Sequence, residues 1–206
     1  MNDLPNLIFI GPDKAGSTWL FQALAHHSDV FVTPAKDLYF FDRYYGRGLS
    51  WYRRQFAGSA GHPVVAEVSH DYLYSPSAAQ RMQECLPNAR LLVCLREPVE
   101  RTFSAYLHLV KTGIFSGSFS EALQVHPRLV ERSRYAKWLF QYLRWYPRNQ
   151  LHCLVFDELR RDPLQFARDL WRRLEIAPAV EDSLLQSRVL PASRSRSVHV
   201  TRWARK

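Results

Sequence analysis

The chain has 206 residues, of which 47% are hydrophobic and 14% aromatic. This length and composition suffice for one domain with a buried core, which excludes a disordered protein. Lysine and arginine number 28 against 19 acidic residues, a formal net charge of +9. This excess favours a polyanionic ligand, an acidic partner or nucleic acid. We expect a single domain over residues 1–206, with a basic C-terminal tail at residues 190–206.

The apolar stretches indicate where the protein resides. None is longer than a strand, so we expect no membrane span. The N-terminus runs directly into an apolar run at residues 7–10, without the charged and apolar regions of a signal peptide. These patterns predict a cytoplasmic enzyme.

Short apolar runs alternate with helical patterns along the chain. Four runs predict parallel strands that are buried on both faces: 7–10, 64–68, 91–95 and 151–156. Helices are predicted over residues 17–25, 76–85, 99–111, from 119 onward and 163–174. Ser75 before Pro76, Asp162 before Pro163, and Ser118 with Glu121 are typical helix starts. The alternation predicts an α/β fold with a central parallel sheet flanked by helices.

Ligands of such sheets bind beyond the carboxyl ends of the strands. The loops that follow the first three predicted strands are residues 11–18, 69–75 and 96–98. We therefore expect these three loops to surround one crevice that holds the ligand.

The first loop has the glycine spacing of a phosphate-binding loop. Residues 7–19 read LIFIGPDKAGSTW, and Gly11 and Gly16 keep the interval of the motif G-x-x-x-x-G-K-[ST]. Ser17 follows Gly16 directly, however, and the lysine of the loop is Lys14. Backbone N–H groups at such a helix start hold phosphate-like anions, and Lys14 adds a positive charge.

The second segment, residues 91–106, reads LLVCLREPVERTFSAY. A predicted buried strand ends at Arg96, and the following helix presents Ser104 about two turns later. A guanidinium and a hydroxyl in this arrangement suit a second phosphate. The alternative is that Arg96 forms a surface ion pair with Glu97 or Glu100.

Taken together, these strings resemble a known family. The string K-x-G-[ST]-T-W begins at Lys14, the string R-x-P-x-x-R-x-x-S-x-Y begins at Arg96, and KDLYFFD begins at Lys36. They resemble the sulfotransferases that use 3′-phosphoadenosine 5′-phosphosulfate (PAPS), in particular the heparan-sulfate-type and bacterial carbohydrate or natural-product branch. The resemblance implies a P-loop-like three-layer fold that needs no metal. It also implies sulfuryl transfer from PAPS to a hydroxyl, less often an amine, of a small-molecule or saccharide acceptor, with release of adenosine 3′,5′-bisphosphate (PAP).

The resemblance also implies roles for individual residues in binding PAPS. Trp19 would stack on the adenine, Arg96 and Ser104 would hold the 3′-phosphate, and Tyr135 would add a further contact. Arg194 or Arg196 in the tail would close over the 3′-phosphate. The 5′-phosphosulfate would be held by Lys14, Ala15, Gly16, Ser17 and Thr18.

Two residues compete for the role of catalytic base. Asp37 aligns with a glutamate that relatives use for deprotonation, but its side chain is one methylene shorter. His70 follows the second predicted strand, and its ordinary pKa suits base chemistry at neutral pH. The segment EVSHDYLYS at residues 67–75 lacks the catalytic lysine of the related pattern E-K-[ST]-P-x-Y. Both candidates stay open, and Lys14 suits the neutralisation of the leaving phosphate.

Aromatic residues concentrate between the first two predicted strands. Phe40, Phe41 and Trp51 are expected in the core. The tyrosines are expected to line an acceptor cavity; they are Tyr39, Tyr44, Tyr45, Tyr52, Tyr72 and Tyr74.

Two other classes of protein remain as alternatives. The glycine spacing invites a P-loop kinase or NTPase, but no lysine precedes Ser17 and no strand carries a magnesium-binding aspartate of the Walker B type. The positive charge invites a noncatalytic nucleic-acid-binding module, but no recognition motif for nucleic acid is present. We therefore expect a PAPS-dependent enzyme that does not bind nucleic acid.

Overall fold

A five-stranded parallel sheet forms the centre of the molecule. The computed structural model describes residues 4–178. Its strands are β1 (Leu7–Gly11), β2 (Val30–Val32), β3 (Val64–Val68), β4 (Arg90–Leu95) and β5 (Leu151–Val155). They lie in the order β2-β3-β1-β4-β5, and each neighbouring pair is parallel. The predicted central parallel sheet is confirmed, although the three-residue strand β2 was missed.

Helices join the strands. They are α1 (Ser17–Ala25), α2 (Leu49–Arg54), α3 (Pro76–Cys85), α4 (Pro98–Lys111), α5 (Phe119–Val125), α6 (Arg128–Glu131), α7 (Tyr135–Tyr142), α8 (Phe156–Arg161) and α9 (Pro163–Leu174). No helix within residues 4–178 is both long enough and apolar enough to cross a lipid bilayer.

The predicted helix starts form as expected. The Ser75 hydroxyl accepts a hydrogen bond from the Ala78 N–H at 3.2 Å, and the Asp162 carboxylate accepts one from the Gln165 N–H at 3.0 Å. Ser118 and Glu121 form a reciprocal capping box. Each cap satisfies N–H groups that the first turn of a helix leaves without a partner.

Helices cover both faces of the sheet, which gives the three predicted layers. Side chains of a strand alternate between faces. Leu7 and Phe9 of β1 therefore pack with α1 and α9 in one hydrophobic core. Ile8 and Ile10 pack on the opposite face in a second core, to which α2, α3 and α7 contribute.

The carboxyl ends of β3, β1 and β4 lie side by side, so the loops after them meet at one edge of the sheet. Gly11 ends β1 with φ of +134°, and a Cβ atom there would lie 2.4 Å from the His70 carbonyl oxygen. Only glycine fits this contact. It holds the first loop directly against the segment that follows β3.

Candidate active site

The loop between β1 and α1 presents backbone N–H groups to an anion. Gly16 is the N-cap of α1 with φ of +85°, and no side chain caps the helix. A Cβ atom at Gly16 would lie 2.9 Å from Leu159 Cδ2, and the positive φ disfavours any residue other than glycine. The first-turn N–H groups of Ser17 and Thr18 have no acceptor within the helix. This arrangement fits a phosphate or phosphosulfate group.

Lys14 supplies the positive charge of this loop. Its backbone is left-handed, with φ of 64°. Burial lowers the pKa of its amine, an effect that Asp13 opposes. The side chain lines a cavity of about 430 Å³, which we call the catalytic cavity. His70 lines the same cavity, so the anion-binding loop and one candidate base face a common space.

The two candidate bases form a pair. His70 Nδ1 lies 2.7 Å from Asp37 Oδ1, and the His70 backbone N–H donates to the same oxygen at 3.3 Å. Lys36 Nζ donates to the other oxygen, Oδ2, at 2.8 Å. Burial would raise the pKa of Asp37, but the hydrogen bonds and charges of His70 and Lys36 outweigh it, so the pKa is lowered.

Contacts with the end of β3 place Asp37 beside His70. The Asp37 N–H donates to the Val68 carbonyl at 2.8 Å, and the Tyr39 N–H donates to Ser69 Oγ at 3.4 Å. Asp37 and Tyr39 both have positive φ values, 64° and 51°. Non-glycine residues adopt this backbone conformation at a cost, and it is found preferentially at functional sites.

Tyr39 contacts the other nitrogen of the imidazole. Its hydroxyl lies 3.3 Å from His70 Nε2. Burial, together with the charges of Asp37 and Asp71, raises the pKa of Tyr39, so the phenol keeps its proton at neutral pH. Because the Asp37 carboxylate accepts a hydrogen bond from the Nδ1–H group, the neutral imidazole has its lone pair on Nε2, which can accept a hydrogen bond from Tyr39.

A chain of ion pairs between arginines and aspartates connects the surroundings of His70 to the first loop. Asp13 accepts from the fully buried Arg101 at 3.1 Å and lies 3.6 Å from Arg132 Nη1. Arg132 also pairs with Asp71 at 3.0 Å, and Asp71 pairs with Arg43. No local sequence pattern indicates Asp13, Asp71 or Arg132, because their partners lie far apart in the chain.

Arg96, to which the resemblance assigns the 3′-phosphate, lies beside the first loop. Its guanidinium donates to the Lys14 carbonyl at 3.2 Å and to Glu100 Oε2 at 3.1 Å. The ion pair with Glu100, considered above as an alternative, is therefore present, whereas Glu97 caps α4 instead. Ser104 lies one helical turn beyond Glu100 on the same face of α4. The Tyr135 hydroxyl donates to the Arg96 carbonyl at 2.8 Å.

Three expectations are revised. Trp19 is only 7% exposed and packs edge-on against Phe166 in the core, so the structure does not support a stacking surface for adenine. Tyr52 and Tyr72 do not line a cavity, because both are buried and donate hydrogen bonds to the carboxylate of Glu67. Ala15 is fully buried, so only its backbone can contact a ligand. Arg194 and Arg196 lie outside the described residues.

The fold and the loop define an α/β protein of the P-loop-like type with an anion-binding site at the carboxyl edge of its sheet. Comparison with known proteins identifies it further. A profile described as "Sulfotransferase family" matches residues 69–182. The crystal structure of a sulfotransferase from Alicyclobacillus acidocaldarius is 30% identical, with a TM-score of 0.79 over 91% of this chain and 87% of that one. The chain belongs to the sulfotransferase family, which confirms the resemblance.

Curated relatives share smaller parts of their length. Heparan sulfate glucosamine 3-O-sulfotransferase 5 of Homo sapiens is 27% identical over 87% of this chain and 56% of the relative. Membrane-associated sulfotransferase kil1 of Dictyostelium discoideum is 35% identical over 50% of this chain and 22% of the relative. The chain thus spans less than two thirds of either curated protein.

Proposed function

We propose that this protein transfers the sulfuryl group of PAPS to a hydroxyl of a saccharide or small-molecule acceptor, with release of PAP. The observation that carries the proposal is that Lys14 and His70 line one cavity. An anion-binding lysine and a base in one space are what sulfuryl transfer requires. An amine is the less favoured acceptor. We propose that no metal takes part, since lysine, arginine and backbone N–H groups suffice to bind the anion.

The residues present fit the donor. The N–H groups at the start of α1, the hydroxyls of Ser17 and Thr18, and Lys14 would hold the 5′-phosphosulfate. Arg96 and Ser104 would hold the 3′-phosphate. When bound, PAPS supplies an activated sulfuryl group on a phosphate leaving group. Lys14 stabilises the negative charge that develops on this phosphate, and the low-dielectric surroundings strengthen that interaction.

His70 acts as the base and Asp37 positions it. Asp37 accepts a hydrogen bond from the Nδ1–H group and thereby favours the tautomer with a lone pair on Nε2. The acceptor hydroxyl replaces Tyr39 as the hydrogen-bond donor to Nε2 and passes its proton there as its oxygen becomes nucleophilic. The carboxylate of Asp37 then stabilises the imidazolium. In this proposal the two candidate bases act together, and His70 is the one that takes the proton of the acceptor.

The printed names of the relatives support a saccharide among the acceptors. The human relative is named for a glucosamine unit of heparan sulfate, and we extend to this chain only the class of hydroxyl-bearing sugar. A cytoplasmic location stays a prediction, since the Dictyostelium relative is named as membrane-associated. The absence of nucleic-acid binding also stays a prediction.

Calorimetric titration tests the proposal directly. PAP, ADP, and ATP with magnesium should each be titrated at two salt concentrations, followed by a transfer assay with radiolabelled PAPS. We expect a clear preference for PAP. Binding of ATP with magnesium alone would support the kinase alternative instead. Strongly salt-dependent binding of random DNA without nucleotide binding would support the nucleic-acid module.

A further inference from the structure

A second cavity adjoins the catalytic cavity. Its volume is about 290 Å³, and we call it the side cavity. The two cavities share three lining residues, Asp71, Arg128 and Arg132. A molecule whose hydroxyl reaches His70 can therefore extend past these residues into the side cavity.

The arginines that line the cavities differ in how their charge is matched. Arg43 pairs with Asp71, Arg101 with Asp13, and Arg132 with both of these acids. Arg128 is exposed and forms no ion pair with any residue between 4 and 178. It lines both cavities, so its unmatched guanidinium lies at their junction.

The acids of the side cavity are already neutralised. Asp71 lies between two arginines, and Glu131 pairs with Lys137 and Arg134. Asp42 Oδ2 lies 3.4 Å from Arg43 Nε. Because each of these carboxylates already contacts at least one cation, the charge left for a ligand at the junction is that of Arg128.

The remaining lining of the side cavity suits a polar ring. Trp138 and Tyr74 contribute aromatic surface. Asp42 Oδ1 is buried without a hydrogen-bond partner in the described part of the chain. A buried acceptor without a donor is costly. A hydroxyl of a bound molecule would supply that donor, while aromatic side chains pack against the faces of sugar rings.

We propose that the side cavity is a second acceptor subsite, in which Arg128 binds a carboxylate or sulfate group of the acceptor and Asp42 accepts a hydrogen bond from a neighbouring hydroxyl. The inference rests on the proposed function and narrows it. The preferred acceptor is a hydroxyl-rich molecule. Its reacting oxygen lies at His70 in the catalytic cavity, and its anionic group lies at Arg128, where the two cavities meet. Arg128 determines specificity and takes no part in proton transfer.

Three matched probes test this subsite: 4-nitrophenyl β-D-glucuronide, 4-nitrophenyl β-D-glucoside 6-sulfate and the uncharged 4-nitrophenyl β-D-glucoside. Binding of each is measured by calorimetry with the enzyme saturated with PAP. We expect one or both anionic probes to bind about 10-fold more tightly than the glucoside, the gain typical of one charge-assisted hydrogen bond. The two anionic probes distinguish a carboxylate from a sulfate as the preferred group.

Two variants test whether Arg128 causes the preference for anionic probes. Arg128→Gln should abolish the preference and leave affinity for PAP unchanged. Arg144→Gln removes the same charge at an exposed position that lines neither cavity, and it should keep the preference. Equal binding of all three probes, failure of both anionic probes to bind, or a preference that survives in Arg128→Gln would overturn the inference. Failure of PAP itself to bind would instead contradict the proposed function.

Discussion

Asp37 Oδ1 accepts a hydrogen bond of 2.7 Å from the Nδ1–H group of His70, although the two residues are 33 positions apart in the chain. The contact joins the segment after β2 to the segment after β3. It leaves Nε2 as the basic nitrogen on the side of the imidazole near Tyr39. The sequence offered these residues as alternative bases, whereas the structure places them in direct contact, and we propose that the carboxylate orients the imidazole.

The variant Asp37→Asn tests this unit. A carboxamide can donate to Nδ1 and so favour the tautomer that carries its proton on Nε2. We expect kcat to fall about 100-fold, within the range for loss of a general base, while KM changes little. Initial rates with PAPS and one acceptor measure both parameters.

Non-additivity provides the control for that experiment. His70→Gln and the double variant Asp37→Asn/His70→Gln should lose activity to a similar extent, because residues that act as a unit do not contribute independently. Asp29→Asn removes a half-buried carboxylate just before β2 that lines neither cavity, and it should leave kcat unchanged. Additive losses in the double variant would show that Asp37 and His70 act separately.

Lys14→Ala tests the anion-binding loop. The lysine charge matters most when negative charge develops on the leaving phosphate, so we expect turnover to fall 100-fold or more and PAP affinity to fall much less. Single-turnover rates and calorimetry separate the two effects. Lys14→Arg keeps the charge and should retain part of the turnover. Near-normal turnover in Lys14→Ala would exclude the proposed role.

Arg96→Ala tests the 3′-phosphate site. PAP and adenosine 5′-phosphate share the 5′ group but differ in the 3′-phosphate. We expect the variant to lose about 10-fold or more of its affinity for PAP, while adenosine 5′-phosphate binds almost as before. Arg160→Ala provides a control, because Arg160 also pairs with Glu100. A parallel loss for both nucleotides would mean that Arg96 only supports the loop, through its bond to the Lys14 carbonyl.

Local patterns predicted much of this structure. The starts of three helices could be predicted from Ser75, Ser118 and Asp162, because each cap depends only on residues within four positions. The glycine spacing likewise placed the anion-binding loop. Strand β2 was missed because three residues are too few to establish a periodic pattern.

Contacts between distant segments could not be read from the sequence. Asp13 and Arg101 are separated by 88 positions, and neither residue type reveals its partner. Tyr52 and Tyr72 looked amphipathic enough to line a cavity. They are instead buried around Glu67, because a buried carboxylate requires donors that only the folded chain brings together. The burial of Trp19 has a related cause, since Phe166 of α9 packs against it.

Asp13→Asn tests the buried ion pairs. Burial would raise the pKa of Asp13, but the charges of Arg101 and Arg132 outweigh it and lower the pKa. The carboxylate therefore stabilises the fold above its unfolded pKa near 3.8, and this contribution is lost as pH falls through the lower folded pKa. Because Arg101 would keep an unpaired buried charge, we expect a loss of about 3 kcal/mol at pH 7.

Urea unfolding at neutral and acidic pH measures this effect. The difference between wild type and Asp13→Asn should shrink below about pH 4 as the wild-type carboxylate takes up its proton. Asp169→Asn breaks an exposed pair with Arg172 and should cost less than about 0.5 kcal/mol. An equal cost for both variants at pH 7 would show that the Asp13 pairs add no more than a surface contact.

Glu67 has the opposite pH dependence. Burial raises the pKa of this fully buried carboxyl group, although hydrogen bonds from Tyr52, Tyr72 and Ser69 lower it in part. A raised pKa in the folded state gives a stabilising contribution that is fully present below the unfolded value of 4.5 and is lost as pH rises through the folded value. Glutamine does not titrate, so Glu67→Gln lacks this dependence.

We therefore expect Glu67→Gln to be less stable than wild type by about 1–3 kcal/mol at pH 4.5, the cost of mismatched buried hydrogen bonds. This difference in stability should narrow as pH rises to 8, because only the wild-type protein is destabilised by ionisation of a buried carboxyl group. Tyr52→Phe removes one donor and raises the pKa of Glu67 further, so its own stability should fall with pH more steeply than that of wild type. Urea midpoints at pH 4.5, 6 and 8 would reveal these slopes. A difference between wild type and Glu67→Gln that widens with pH would mean that the hydroxyl groups favour the ionised carboxylate over the protonated acid.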